Sequence, residues 1–132
     1  MEILFFDSID STQEYLLKAV KEKNIHVPIA IISDEQTKGI GSRNNSWCAC
    51  RGNFFVSIAL NIKALPSDLP LGSASIYFAF ILKKILFTFN KEVWLKWPND
   101  LYLKSHKIGG IITNKVGNVL VCGIGVNLKH ST

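Results

Sequence analysis

Of the charged side chains in the apolar run VWLKWPNDLYLKSHKIGG at residues 93–110, Lys96, Asp100 and Lys107 are the ones whose types and spacing could do chemistry. An unpaired ammonium is costly among Val, Trp, Leu and Ile, so a lysine closing such a strand needs a reason. Two cations and a carboxylate at one end of a hairpin can hold a phosphate, with Asp100 reaching its magnesium. Asn99-Asp100 also suits a plain turn. The adjoining Gly109-Gly110 pair would let a ligand lie flat against the strand.

Three further segments break their surroundings with polar or glycine residues. Asp10-Ser11-Thr12 stands before a helical pattern. Ser11 with Glu14 has the form of a capping box, and the same corner could bind a small polar head group through hydroxyls and free amides. In QTKGIGSRNNSW, residues 36–47, Gly39 and Gly41 allow close backbone approach, Arg43 offers a fork of donors and Trp47 an apolar wall. This is neither a dinucleotide fingerprint, lacking the third glycine, nor a phosphate loop, lacking Gly-Lys-Ser/Thr. Lastly, Gly123-Ile124-Gly125-Val126-Asn127 puts two glycines in an apolar strand, which weakens it unless a ligand or another backbone lies close. Core packing is the plainer reading.

The elements that must position these residues follow from the pattern. EILFFD is a short strand, and Leu16, Ala19, Val20 and Lys23 recur at helical spacing over residues 12–23. VPIAIISD and FFVSIALNI read as strands, separated by a long loop over residues 35–53; loops of that length in compact domains are usually functional or disordered. LGSASIYFAFILKKILFTF, apolar on nearly all sides, predicts a buried helix. EVWLKW is a strand held extended through Trp97 by Pro98. DLYL and KIGGIITN form a hairpin across Lys104-Ser105-His106, and NVLVCGIGVN pairs back across Gly117-Asn118. The order strand, helix, strand, strand, helix, three strands points to one α+β domain with a mixed, largely antiparallel sheet.

At 132 residues the chain suits one domain with a sizeable core, and 48% hydrophobic against 19% charged residues is a globular composition. The formal net charge of +5 comes from scattered lysines and arginines. That suits an anionic ligand or an acidic partner and lacks the clustering of a nucleic-acid arm. Cys48, Cys50 and Cys122 are odd in number, as expected of reduced thiols. With His26, His106 and His130 they lack the ligand spacing of a structural zinc site. LGSASIYFAFIL is expected to be too short and too rich in Ser to span a bilayer. The N-terminus lacks a signal peptide's pattern, so a cytoplasmic location is expected.

Taken in order, these segments resemble the biotin–protein ligase family over residues 3–128. KWPNDLYL followed by KIGGI resembles its Lys-Trp-Pro-Asn-Asp signature and downstream Lys-x-x-Gly-Ile. DSTQ, EQTKGIGSRNNSW, GNFFVS and GIGVN match its other elements. The resemblance implies a catalytic domain related to class II aminoacyl-tRNA synthetases. It further implies ATP, biotin and Mg2+ as reactants, a carboxylase's biotin carrier domain (acetyl-CoA carboxylase expected) as partner, and a possible homodimer. Biotin is activated as biotinyl-5′-AMP and passed to one lysine of the carrier.

By position, the resemblance makes Ser11, Thr12 and Gln36 partners of the ureido ring. Gly39, Ile40, Gly41, Ser42, Trp47, Gly110, Gly123 and Val126 would line the rest of the biotin site. Lys107 would stand between carboxylate and α-phosphate, with Asp100 and Arg43 as the other catalytic residues. Arg43, Lys96, Asn99, Asp100, Lys107 and Asn127 would serve the nucleotide, and Asp100 the magnesium. Ile40 and Ser42 replace the family's usual arginines, so Arg43 or Arg51 must substitute and easy leakage of adenylate is expected. Gln13 replaces the usual Asn, and Asn114 stands where a Glu is common. The resemblance also implies further helices, strands and a small barrel after Asn127, hence an incomplete domain with its final strand exposed. With nothing before the first strand, a winged helix and repressor activity are not expected. Lipoate ligation on the same fold, or a non-catalytic biotin-binding fragment, are the rival readings.

Overall fold

In the computed structural model, which describes residues 1–40, 52–89 and 92–127, apolar alternation and turn chemistry build a single seven-stranded sheet. The elements are β1 (Glu2–Phe6), α1 (Thr12–Lys21), β2 (Ile29–Ser33), β3 (Phe54–Asn61), α2 (Ala74–Thr88), β4 (Val93–Lys96), β5 (Asp100–Leu103), β6 (His106–Val116) and β7 (Val119–Val126). Their order in the sheet is β1-β2-β3-β7-β6-β5-β4. β1 runs parallel to β2 and every other pair is antiparallel, the mixed, largely antiparallel α+β arrangement expected.

Side chains alternate across a strand, and the two helices use the two faces. Val121 packs in a cluster with Leu16 of α1, Ile29, Ile31 and Ala59. Its neighbour Cys122 packs with Ala79 and Leu82 of α2, Val93, Leu101, Ile111 and Val126. α1 therefore covers one face over β2, β3 and β7, and α2 covers the opposite face over β4, β5 and β6. Beyond α1, the face carrying Lys96 and Asp100 is left open among the described residues.

Several expectations need correction. β4 ends at Lys96, and Trp97 lies in the turn that separates it from β5; EVWLKW, DLYL, KIGGIITN and NVLVCGIGVN make four strands after α2, one more than the expected order counted. α1 stops at Lys21, and Lys23 lies beyond it at φ 55. α2 is not a buried helix: only Ala74, Ala79 and Leu82 are buried, while Phe80, Ile85 and Phe87 face outward. With one face on the sheet, an apolar helix this long cannot hide the other. The helical stretch Leu71–Thr88, 18 residues, runs beyond LGSASIYFAFIL and is long and apolar enough to cross a membrane by length and composition alone, a test that a helix packed on a sheet also passes. The final strand is no edge, since β7 lies between β3 and β6.

Local signals place the rest. Val116 pairs with Val119 across Gly117-Asn118, and Gly117 takes the left-handed φ of +58 that such a turn requires. Leu103 pairs with His106, so the β5–β6 turn is Lys104-Ser105 alone.

Candidate functional site

Two short segments far apart in sequence are zipped together to make one end of the site. Ile9 N–H donates to the Glu35 carbonyl (3.1 Å), Thr37 N–H to Ile9 (2.9 Å) and Lys38 N–H to Asp10 (2.7 Å). The Thr37 hydroxyl also donates to Asp10 Oδ1 at 2.7 Å. This lays Gln36 beside the first turn of α1, where Gln36 Oε1 accepts the Thr12 N–H at 2.8 Å. Ser11 caps the helix, its Oγ accepting the Glu14 N–H at 3.2 Å, so the Ser11 hydroxyl proton remains for another acceptor. Ser11 and Thr12 are 2% and 3% exposed, and buried polar groups of this kind demand partners.

The other end is made by the β4–β5–β6 hairpins. Lys96 is the cross-strand partner of Asp100, and Tyr102 that of Lys107. All four thus share the sheet face that α1 leaves open. A bulge at Leu101/Tyr102 inserts Ile108 into β6, so that Lys107 and Gly110 point the same way although three residues apart. Lys107 Nζ lies 3.1 Å from Asp100 Oδ1. Asn99 locks the turn beneath them: its Nδ2 donates to the Ile111 carbonyl at 2.7 Å, and the Ile111 N–H returns to the Asn99 carbonyl at 3.1 Å.

Between the two ends is one shared hollow, open to solvent on one side. Ser11, Thr12, Gln36, Ile40, Asn99, Asp100, Lys107, Gly110 and Gly123 all line it. The buried hydroxyls and amide thus face the ammonium and carboxylate across a shared space. Donors (Ser11 hydroxyl, Lys107) and acceptors (Thr12 Oγ1, Asp100) are both on offer.

Other predicted residues lie elsewhere. Val126 is 2% exposed and packs in the α2 cluster, because strand alternation turns it to the sheet face away from the hollow. Lys96 is exposed and stands outside the hollow, its Nζ 5.4 Å from the Tyr102 ring centroid. Gly39 is buried but not among the lining residues. Asn127 also lies off the hollow; its N–H donates to the Ile108 carbonyl at 2.6 Å and its buried Oδ1 has no hydrogen-bond partner among the described residues. Gly41, Ser42, Arg43 and Trp47, with Cys48, Cys50 and Arg51, lie outside the described residues.

The glycines divide into two kinds. A Cβ on Gly109 would meet the Gly125 carbonyl oxygen at 2.6 Å, and one on Gly123 would meet Gln13 Oε1 at 2.6 Å, so neighbouring protein atoms exclude a side chain at both. At Gly110 a Cβ would meet nothing closer than 3.7 Å, and the space belongs to the hollow.

Sequence reasoning missed Gln13, Ser57 and Ile112 as lining residues. Ser57, fully buried in FFVSIALN, was the available signal: a lone hydroxyl on the core face of a strand calls for a polar partner.

The profile of the family described as Biotin/lipoate A/B protein ligase family matches residues 5–130. The bifunctional ligase/repressor BirA of Escherichia coli (strain K12) is 32% identical over 127 residues, 91% of this chain and 38% of the relative. The biotin–[acetyl-CoA-carboxylase] ligase of Mycobacterium tuberculosis is 26% identical, over 78% of this chain and 40% of the relative. The chain thus spans about two-fifths of the length of these curated relatives. Among solved structures, biotin acetyl coenzyme A carboxylase synthetase from Helicobacter pylori with bound biotinylated ATP superposes at a TM-score of 0.96 with 44% identity, covering 99% of this chain and 64% of that one. Biotin protein ligase from Aquifex aeolicus in complex with biotin and ATP superposes at 0.81 with 29% identity, covering 98% and 54%.

Proposed function

We propose that this chain, which belongs to the biotin/lipoate A/B protein ligase family, carries the site that activates biotin with ATP and passes it to a lysine of a biotin carrier protein. The observation behind this reading is the shared hollow, with Ser11, Thr12 and Gln36 at one end and Lys107 with Asp100 at the other. A cyclic urea needs matched donors and acceptors in a dry corner, and a carboxylate tail needs a cation at the far end.

In the first step a biotin carboxylate oxygen attacks the α-phosphorus of ATP. A new oxygen–phosphorus bond forms, the bond to the β-phosphate oxygen breaks, and pyrophosphate leaves. Both reactants are anions, so the barrier is largely electrostatic and a preorganised ammonium lowers it. Lys107 fills that role, placed by the β6 bulge and aimed by Asp100. In the second step the acceptor amine attacks the acyl carbon, AMP leaves, and Asp100 takes the amine's proton.

Magnesium fits Asp100 as a lone hard-oxygen ligand, since this ion usually combines one or two carboxylates with substrate phosphates. When bound it would neutralise charge on the departing pyrophosphate. The acceptor in this reading is a biotin carboxyl carrier domain, as the acetyl-CoA-carboxylase ligase names among the relatives suggest.

The test is to incubate the chain with ATP, magnesium, biotin and a carrier domain, and to follow the carrier's mass. A biotinyl adduct on one lysine supports the reading; an unmodified carrier contradicts it.

A further inference from the structure

We propose that Gln13, clamped by Asn114, is a positioning residue that sets the hydrogen-bond polarity of the pocket for the ureido ring; this rests on the biotin reading above.

Gln13 is 4% exposed and reaches from α1 to the sheet. Its Nε2 donates to the Val121 carbonyl at 3.0 Å and to Asn114 Oδ1 at 3.0 Å. A carbonyl only accepts, so the NH2 end of the amide must face β7 and Oε1 must face Ser57. Ser57 Oγ, 2.9 Å away, donates to it. With its proton spent there, Ser57 can only accept from Thr12 Oγ1, 2.8 Å away. Thr12 Oγ1 can also donate to Gln36 Oε1 at 3.1 Å, but it has one proton, and the shorter contact to Ser57 at 2.8 Å takes it, leaving Gln36 Oε1 to the Thr12 N–H and to a ligand. Two oxygens with lone pairs free stand side by side on the hollow's wall. A ring N–H laid against them is accepted by both.

The chain of protons runs in one direction because Gln13 cannot flip. Asn114 secures the second amide hydrogen at the rim. Gly123 leaves room for the amide to lie flat, since a Cβ there would strike Gln13 Oε1. Gln13 and Asn114, the two positions that the resemblance marked as departures, therefore touch each other, and the longer amide at 13 spans the gap to the shorter one at 114.

Exchanging the residues tests this. In Gln13→Asn the shorter amide releases Ser57, whose hydroxyl can reverse, turning the Thr12 proton onto Gln36 and removing the acceptor pair. Biotin affinity by calorimetry is expected to fall about tenfold or more, the worth of one lost buried hydrogen bond, with ATP affinity unchanged. Asn114→Glu alone should cost less, because that end is exposed. The double variant Gln13→Asn/Asn114→Glu should return to within about threefold of the parent, the coupling expected of residues in contact. Thermal melts without ligand should show the same pattern of loss and recovery. Equal biotin affinity in Gln13→Asn and parent, or a double variant showing the summed losses, overturns the proposal. A parent that binds no biotin overturns the functional reading instead, while the melts still report whether positions 13 and 114 are coupled.

Discussion

Lys107 and Asp100, on neighbouring strands of the β5–β6 hairpin, meet at 3.1 Å on the wall of the same hollow. Their side chains are 37% and 24% exposed, and pairs of that exposure contribute little to stability. The contact is therefore better understood as aim: the carboxylate holds the ammonium over the hollow. Asp100→Asn keeps the shape but cannot accept a proton. Transfer of biotin from preformed adenylate to the carrier is expected to fall about 100-fold or more in this variant, the range of a lost general base. Normal transfer would remove Asp100 from that role.

Gly109→Ala should destabilise the fold while Gly72→Ala should not. The added methyl at 109 would press on a backbone oxygen at 2.6 Å, whereas at 72 it would meet nothing within 4 Å. Overpacking of this kind costs about 1–3 kcal/mol, readable in urea unfolding midpoints. Equal midpoints would contradict the packing described for β6 and β7.

Gly110→Ala separates a ligand glycine from a packing glycine. Its methyl would sit at ordinary distances, 3.7 Å from Asn99 O and Asp100 Oδ1, so unfolding should be unchanged. Because the methyl would enter the hollow, biotin binding should weaken by about tenfold or more, the scale of a bulky intrusion into a filled site. Unchanged binding would place the ligand elsewhere.

Cys122 supplies a pH signature. Burial pushes its thiol up from 9.0 to about 12. A group whose folded value is raised keeps its full stabilising contribution below the unfolded value and loses it as pH rises toward the folded one. Between pH 9 and 12, therefore, stability should fall more steeply in the parent than in Cys122→Ala. Parallel curves would mean the thiol is hydrated.

How much of this was legible in the chain follows the range of the forces involved. Ser11 with Glu14, Gly117-Asn118 and the Pro98 turn act over a few residues, and the helix start and the hairpins could be read from them. Ser11, Thr12, Gly110 and Lys107 stood out by residue type as possible ligand contacts, while Gln36 and the roles of all five came from the family resemblance. Which way Val126 faces depends on the register of β7 against β3 and β6, a long-range matter that the spacing of GIGVN does not contain. The Gln13–Asn114 contact joins residues 101 apart, so two departures that looked separate in the sequence are one contact in space. The exposure of Phe80 and Phe87 was likewise hidden, because an all-round apolar helix does not reveal how many sides will be covered.

The central claim, that Lys107 neutralises two anions as they join beside a ureido-binding corner, is tested most directly by exchange of labelled pyrophosphate into ATP. With magnesium and biotin the chain should incorporate label, lipoate should not replace biotin, and Lys107→Ala should lose about 100-fold or more of the rate, as for a removed oxyanion donor. Exchange that proceeds equally well in Lys107→Ala, or that requires lipoate instead of biotin, would contradict it.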